Sequence, residues 1–182
     1  SMDLVVPNSY RWLFYVSIDW MMILTAMGLA IKSENIFIFW LASLIIGNRQ
    51  HALAFLGHDG SHHSVSRNQS WNDSLTCIFS FWPIGLGLQG YRRFHFSHHR
   101  HLGTSADPEL LHKTWAAPDF SLPVTKYKIL FHVLRDLTGY GIRDVIRLVR
   151  LVPPATAADI LGPAAMTGVF WFSCIMTNHY EI

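Results

Sequence analysis

Charge is what this sequence has least of. Of its 182 residues, 14% are Asp, Glu, Lys or Arg while 51% are hydrophobic. With a mean hydropathy of +0.24, that balance argues against a water-soluble domain and for a multi-span membrane protein. The formal net charge is only +2, which excludes the basic footprint of a nucleic-acid-binding protein. Cysteine is nearly absent. Cys77 and Cys174 each lie in an apolar run, so no disulfide framework is expected and both read as buried, inert thiols. Internal repeats and low-complexity tracts are missing. A cleavable signal pattern is missing too: Pro7 and Arg11 precede the first apolar run, and no small-residue cleavage site follows it. Ser1-Met2 reads as a tag scar or as the start of a fragment.

Long apolar runs are what the chain has instead. Leu13 to Ile31 has about the ~20 residues a bilayer crossing needs. It carries one acid, Asp19, which reads as interfacial or structural. Lys32 to Asn35 is a hairpin turn between antiparallel spans. A second span starts at Ile36 and continues through Gly47 to Gly57, with Arg49 and Gln50 marking its exit from hydrocarbon. Leu75 to Leu88 is apolar but too short to span and contains Pro83, Gly85 and Gly87, so it reads as interfacial or re-entrant. Ser64 to Asp73 reads as a polar loop, with Asn72 or Asp73 capping the segment after it. Further on, Arg143, Arg147 and Arg150 share one face of an amphipathic interfacial helix that Pro153-Pro154 ends. Ile160 to Thr177, with Ala157 and Ala158, reads as a third span. Eleven of the 14 Lys and Arg lie between Arg67 and Arg150, which predicts a cytoplasmic location for that region. Asn68-Gln69-Ser70 is a glycosylation sequon that this topology would leave unmodified.

Histidine is the chemical signal. Seven of the eleven histidines fall in two clusters, His58/His62/His63 and His95/His98/His99/His101. Side chains three and four apart share a helix face, so these imidazoles can converge on a metal, and imidazole suits Fe, Zn, Cu and Ni alike. His51 lies seven residues before His58 on the same face and reads as a hydrogen-bonded structural histidine. His63 points about 100° away from His62 on a helix, making it a weaker candidate. His101 reads as solvated or as a support for a ligand, as do the acids Asp107 and Glu109. His112 and His132 have no histidine partner in register and read as structural.

The motifs H58-D-G-S-H62-H63 and H95-F-S-H98-H99 resemble the HxxxH and HxxHH boxes of the membrane fatty acid desaturase/hydroxylase superfamily, over most of the chain. The resemblance implies an all-α, multi-span helical membrane protein in one desaturase-like domain over residues 1–182, with a cytoplasmic histidine-box region and interfacial helices. It further implies a non-haem di-iron centre using O2, with His58, His62, His95, His98 and His99 as ligands. His63 and His179 are less secure additions, and Asn178 stands where it would hold a metal-bound water. The implied activity is O2-dependent introduction of a double bond into a fatty acyl chain. Hydroxylation or ketolation of a carotenoid, sterol or alkane uses similar boxes. The implied electron donor is a ferredoxin or cytochrome b5 at the basic face. No third histidine box follows Leu102, so the chain is expected to be truncated before it, with an incomplete second iron site and no activity by itself. A membrane module that binds or transports metal without redox chemistry is the alternative of another class, but transport would place ligands within the bilayer. A bis-histidine haem would leave two dense clusters unexplained.

Overall fold

The computed structural model describes residues 6–111, 125–140 and 142–176. Every regular element among them is helical. The chain groups into two units, one made of Ser1–Leu88 with Thr156–Ile182 and the other of Gln89–Ala155.

The first unit is built on a helical hairpin. Helix α1 (Ser9–Ser33) is capped by Asn8, whose side chain accepts from the Arg11 N–H. It stops where Glu34 takes a left-handed φ of 50°. Asn35 then caps α2 (Ile36–Ser61) by accepting from the N–H groups of Phe37 and Ile38. The expected hairpin and the continuation of the second span into the first histidine cluster are both present. These two helices are long and apolar enough to cross a membrane. Large side chains such as Phe14, Met21, Leu24, Phe37, Trp40 and Leu44 stand exposed on them, a surface that favours lipid over water.

Inside the hairpin, Trp12 and Val16 pack with Val65 in a buried cluster. Asp19 is also buried, and Arg49 meets it at 3.1 Å. That ion pair supports the structural reading of Asp19. Arg49 thus reaches across the hairpin to an acid on α1, and each charge has a partner of opposite sign.

Helix α3 (Gln69–Thr76) begins inside the stretch expected to be a loop. Its cap is Asn68, which accepts from the Trp71 N–H, and not Asn72 or Asp73. A π-helical turn (Cys77–Phe81) and a 3-10 turn (Trp82–Ile84) complete the short apolar segment. Helix α8 (Ala158–Met176) also belongs to this unit and contains Pro163. It packs on the 3-10 turn, where Trp82 fills the space in which Gly162 lacks a side chain.

The second unit contains α4 from Gln89 onward (Leu88–His101), the single turn α5 (Pro108–Leu111), α6 (Lys126–Leu137) and α7 (Ile142–Leu151). Thr125 caps α6 through the Lys128 N–H. Helix α7 forms where expected, and its Ile142 and Ile146 are exposed, in keeping with an interfacial helix.

Candidate metal centre

In the first unit, α2 carries His58 and His62 on one face of its last turn. Their ring centroids lie 4.8 Å apart, and a nitrogen of each lies within 4.8 Å of the other. This last turn is pinned from behind. A methyl on Gly57 would run into the Phe81 ring, and one on Gly60 into Thr76. Only glycine allows the backbone to come that near.

The chain leaves α2 through a polar lock built on Asn72, which is fully buried. Its side-chain oxygen accepts from the N–H groups of Val65 (3.1 Å) and Ser66 (3.4 Å), and its amide donates to the Gly60 carbonyl at 2.8 Å. Ser9 donates to the Val65 carbonyl at 2.8 Å, and the Trp12 indole to the Leu56 carbonyl at 3.0 Å. Ser80 donates to the Leu53 carbonyl. These bonds tie α2 and the segment that leaves it to the elements around them, and so restrain the backbone of the turn that carries the two histidines. Sequence reasoning missed Asn72 in this role. An asparagine in a polar stretch gives no local sign that its partners lie seven and twelve residues back.

His63 follows the helix cap and takes a positive φ of 58°. Its Nδ1 lies 3.9 Å from Asp73, so it turns toward α3. His51 is exposed, with its ring edge-on to Phe55 at 4.9 Å.

In the second unit, α4 presents His95, His98 and His99 together. The Nε2 atoms of His95 and His99 are 2.9 Å apart, and His98 lies 6.2 Å from His95 and 5.7 Å from His99 by ring centroids. Tyr91 stacks on His95 at 5.4 Å. Burial, with the negative charge of Glu109 adding to it, pushes the Tyr91 phenol up to about 12, so Tyr91 stays a neutral donor. His101 departs from the group, its Nδ1 donating to the Ser97 carbonyl at 2.9 Å.

His98 is held by acids. Its Nδ1 is 2.8 Å from Asp107 Oδ1, and its Nε2 is 3.3 Å from Glu109 Oε2. Asp107 is buried and also accepts the N–H groups of Gly103, Glu109 and Leu110. Burial by itself would raise its pKa. The hydrogen bonds from His98 and those three N–H groups outweigh it and hold the carboxyl at about 2. Asp107 is therefore an anion and an acceptor only, which puts a hydrogen on His98 Nδ1, while Nε2 faces the carboxylate of Glu109.

This donor chemistry fits a transition metal. Imidazole nitrogens grouped at ligand spacing, one of them oriented by a carboxylate, are the arrangement that metal-binding histidines adopt. His179 and Asn178 lie outside the described residues, as does His112. The first unit also holds an open pocket of about 910 Å3, lined by side chains that include Trp20, Ile23, Ala42, Leu53, Ile84 and Phe170.

The fatty acid desaturase family profile matches residues 34–180. A dihydrorhizobitoxine desaturase of Bradyrhizobium elkanii is 31% identical over 106 residues, covering 57% of this chain and 30% of its own. An sn-1 acyl-lipid omega-3 desaturase (ferredoxin) of Nostoc sp. (strain 36) is 35% identical over 106 residues, covering 57% of this chain and 28% of its own. An endoplasmic reticulum omega-3 fatty acid desaturase of Nicotiana tabacum is 29% identical over 133 residues, 71% of this chain and 35% of its own. This chain thus spans about a third of the length of the curated relatives it matches. No solved structure gives a significant match.

Proposed function

Because this chain belongs to the fatty acid desaturase family, we propose that it forms part of a membrane-bound, O2-dependent di-iron oxidoreductase that introduces a double bond into a fatty acyl chain. The observation that carries this reading is the family match over both histidine motifs, whose imidazoles stand at ligand spacing within each unit.

Iron supplies what no side chain can do unaided, the O2-dependent removal of hydrogen from an unactivated C–H bond. His58, His62, His95, His98 and His99 hold it, with Asp107 fixing the tautomer of His98. The tight contacts at Gly57 and Gly60 and the lock at Asn72 keep His58 and His62 in one pose. Two irons need more donors than five imidazoles supply, so ligands beyond these five complete the pair, with His63 and His179 as further candidates.

The substrate is lipidic. The exposed apolar surfaces of α1 and α2 support a position in a bilayer, and the mostly apolar pocket in the first unit is of a size that suits a hydrocarbon ligand. Helix α8 is a third crossing. Both histidine motifs face the cytoplasm, where the basic segment from Arg67 to Arg150 receives a ferredoxin- or cytochrome b5-type donor. The family match favours this chemistry over metal transport.

Lipid profiling of a host expressing the full-length gene tests the activity. New double bonds are expected; new hydroxyl or keto groups instead would make the enzyme a hydroxylase or ketolase. Cysteine labelling at positions 66 and 105 tests the topology, and reaction of the two from opposite sides of the membrane overturns it.

A further inference from the structure

We propose that α6 and α7 form a surface for anionic lipid: α6 lays its exposed apolar side chains among acyl chains, while Arg143 and Arg150 take the phosphates of anionic headgroups. This inference rests on the bilayer placement of the helical hairpin and is independent of iron.

The starting point is the pattern of exposure on α6. Tyr127, Leu130, Phe131 and Leu134 follow the spacing of one helix face, and each is more than half exposed. Ile129 and Val133 are exposed as well. Lys128, His132 and Arg135 share another face and are only half-exposed. A helix that meets water turns its charged side chains out and its apolar ones in. On α6 the order is reversed, and a large exposed apolar face is matched to a partner other than water.

Charge selects that partner. Between Lys126 and Leu151 stand six Lys and Arg against two Asp and no Glu. Protein interfaces are depleted in lysine, whereas Lys and Arg beside large apolar side chains compose a helix that lies in an anionic headgroup layer. Helix α7 continues the pattern. Ile142 and Ile146 are exposed on it, and the exposed Arg143 and Arg150 stand seven residues apart on a neighbouring face.

The turn between the helices sets the first of these arginines. Gly139 takes a φ of 86°, and the N–H groups of Thr138 and Gly139 donate to the Arg135 and Asp136 carbonyls. Tyr140 then sits between two guanidinium groups, with Arg135 Cζ 4.5 Å and Arg143 Cζ 5.0 Å from its ring centre. Asp136 already faces Arg135 at 3.2 Å. Arg143 gives one N–H to the Tyr140 hydroxyl, and a guanidinium has further N–H groups to offer a phosphate oxygen.

The test uses the full 182-residue chain with Cys77 and Cys174 replaced by Ala and a bimane probe on one introduced cysteine. In nanodiscs of acyl-brominated phosphatidylcholine mixed with phosphatidylglycerol, the probe is expected to be quenched at Leu24→Cys on α1 and at Leu130→Cys and Leu134→Cys on α6. Native mass spectrometry of the chain released from the mixed discs should show phosphatidylglycerol retained in preference to phosphatidylcholine. Replacing Arg143 and Arg150 together by Gln should weaken that retention roughly 10- to 30-fold, replacing both by Lys should keep most of it, and helical circular dichroism should be unchanged in each. Quenching at Leu24→Cys but not at Leu130→Cys would mean that protein covers α6, and the inference fails while the bilayer reading stands. Equal retention of the two lipids, or of phosphatidylglycerol by the parent chain and the glutamine variant, also overturns it. No quenching at Leu24→Cys overturns both.

Discussion

Asp107 Oδ1 lies 2.8 Å from His98 Nδ1, and this contact gives the second histidine motif its polarity. A buried anion accepts from one nitrogen, while the other faces Glu109 at 3.3 Å. Replacing Asp107 by Asn removes the charge and offers the ring an amide, so iron affinity should fall about 10- to 100-fold, as read by Fe(II) titration. Helical content by circular dichroism should hold, because the amide oxygen still accepts from the backbone. Asp107→Ala should do worse on both readings, since the N–H groups of Gly103, Glu109 and Leu110 then lose their acceptor together.

Single alanine replacements of His58, His62, His95, His98 and His99 should abolish turnover of the full-length enzyme and lower its iron content, while membrane insertion continues. The comparison is His51→Ala. His51 is exposed against Phe55, so its loss should leave iron content near the parent value. Equal loss of iron in His51→Ala and His98→Ala would remove the support for the ligand assignment.

Gly57 and Gly47 lie on the same helix and should answer the same substitution with opposite sign. Alanine ordinarily stabilises a helix interior by about 0.5–1 kcal/mol relative to glycine. At Gly47 nothing lies within 4 Å of the added carbon, so that gain should appear. At Gly57 the Phe81 ring already occupies the space, and overpacking costs about 1–3 kcal/mol. Denaturant unfolding in detergent should show Gly57→Ala as the less stable variant, and Phe81→Leu should relieve part of the loss.

Asp19 and Arg49 make a further test. Removing one partner of a buried ion pair costs about 3–5 kcal/mol, whereas replacing both by apolar residues of similar volume is often neutral. Asp19→Leu and Arg49→Met should each destabilise α1 against α2, and the double variant should recover most of it. A double-mutant cycle measures the coupling; additive effects would show that the 3.1 Å contact contributes nothing.

The sequence by itself determined the helical hairpin, the amphipathic α7 and the helix faces that the histidines of each motif share. Those features follow local rules. Hydrophobic run length decides what can cross a bilayer, and a spacing of three or four puts imidazoles on one helix face. The partners of the candidate ligands were decided by tertiary structure. Asp107 and Glu109 had no local mark to separate them from ordinary solvated loop acids, and only the chain path from α4 to α5 brings them to the two nitrogens of His98. Asn72 looked like a cap and is a buried lock on Gly60, Val65 and Ser66. His63 belongs to the motif by spelling, yet a left-handed turn after α2 carries it toward Asp73. Arg49 and Asp19 sit 30 residues apart, each an isolated charge in an apolar run until packing of the hairpin joins them. Periodicity encodes which face a residue occupies. It does not encode what another segment, folded back across that face, will place against it.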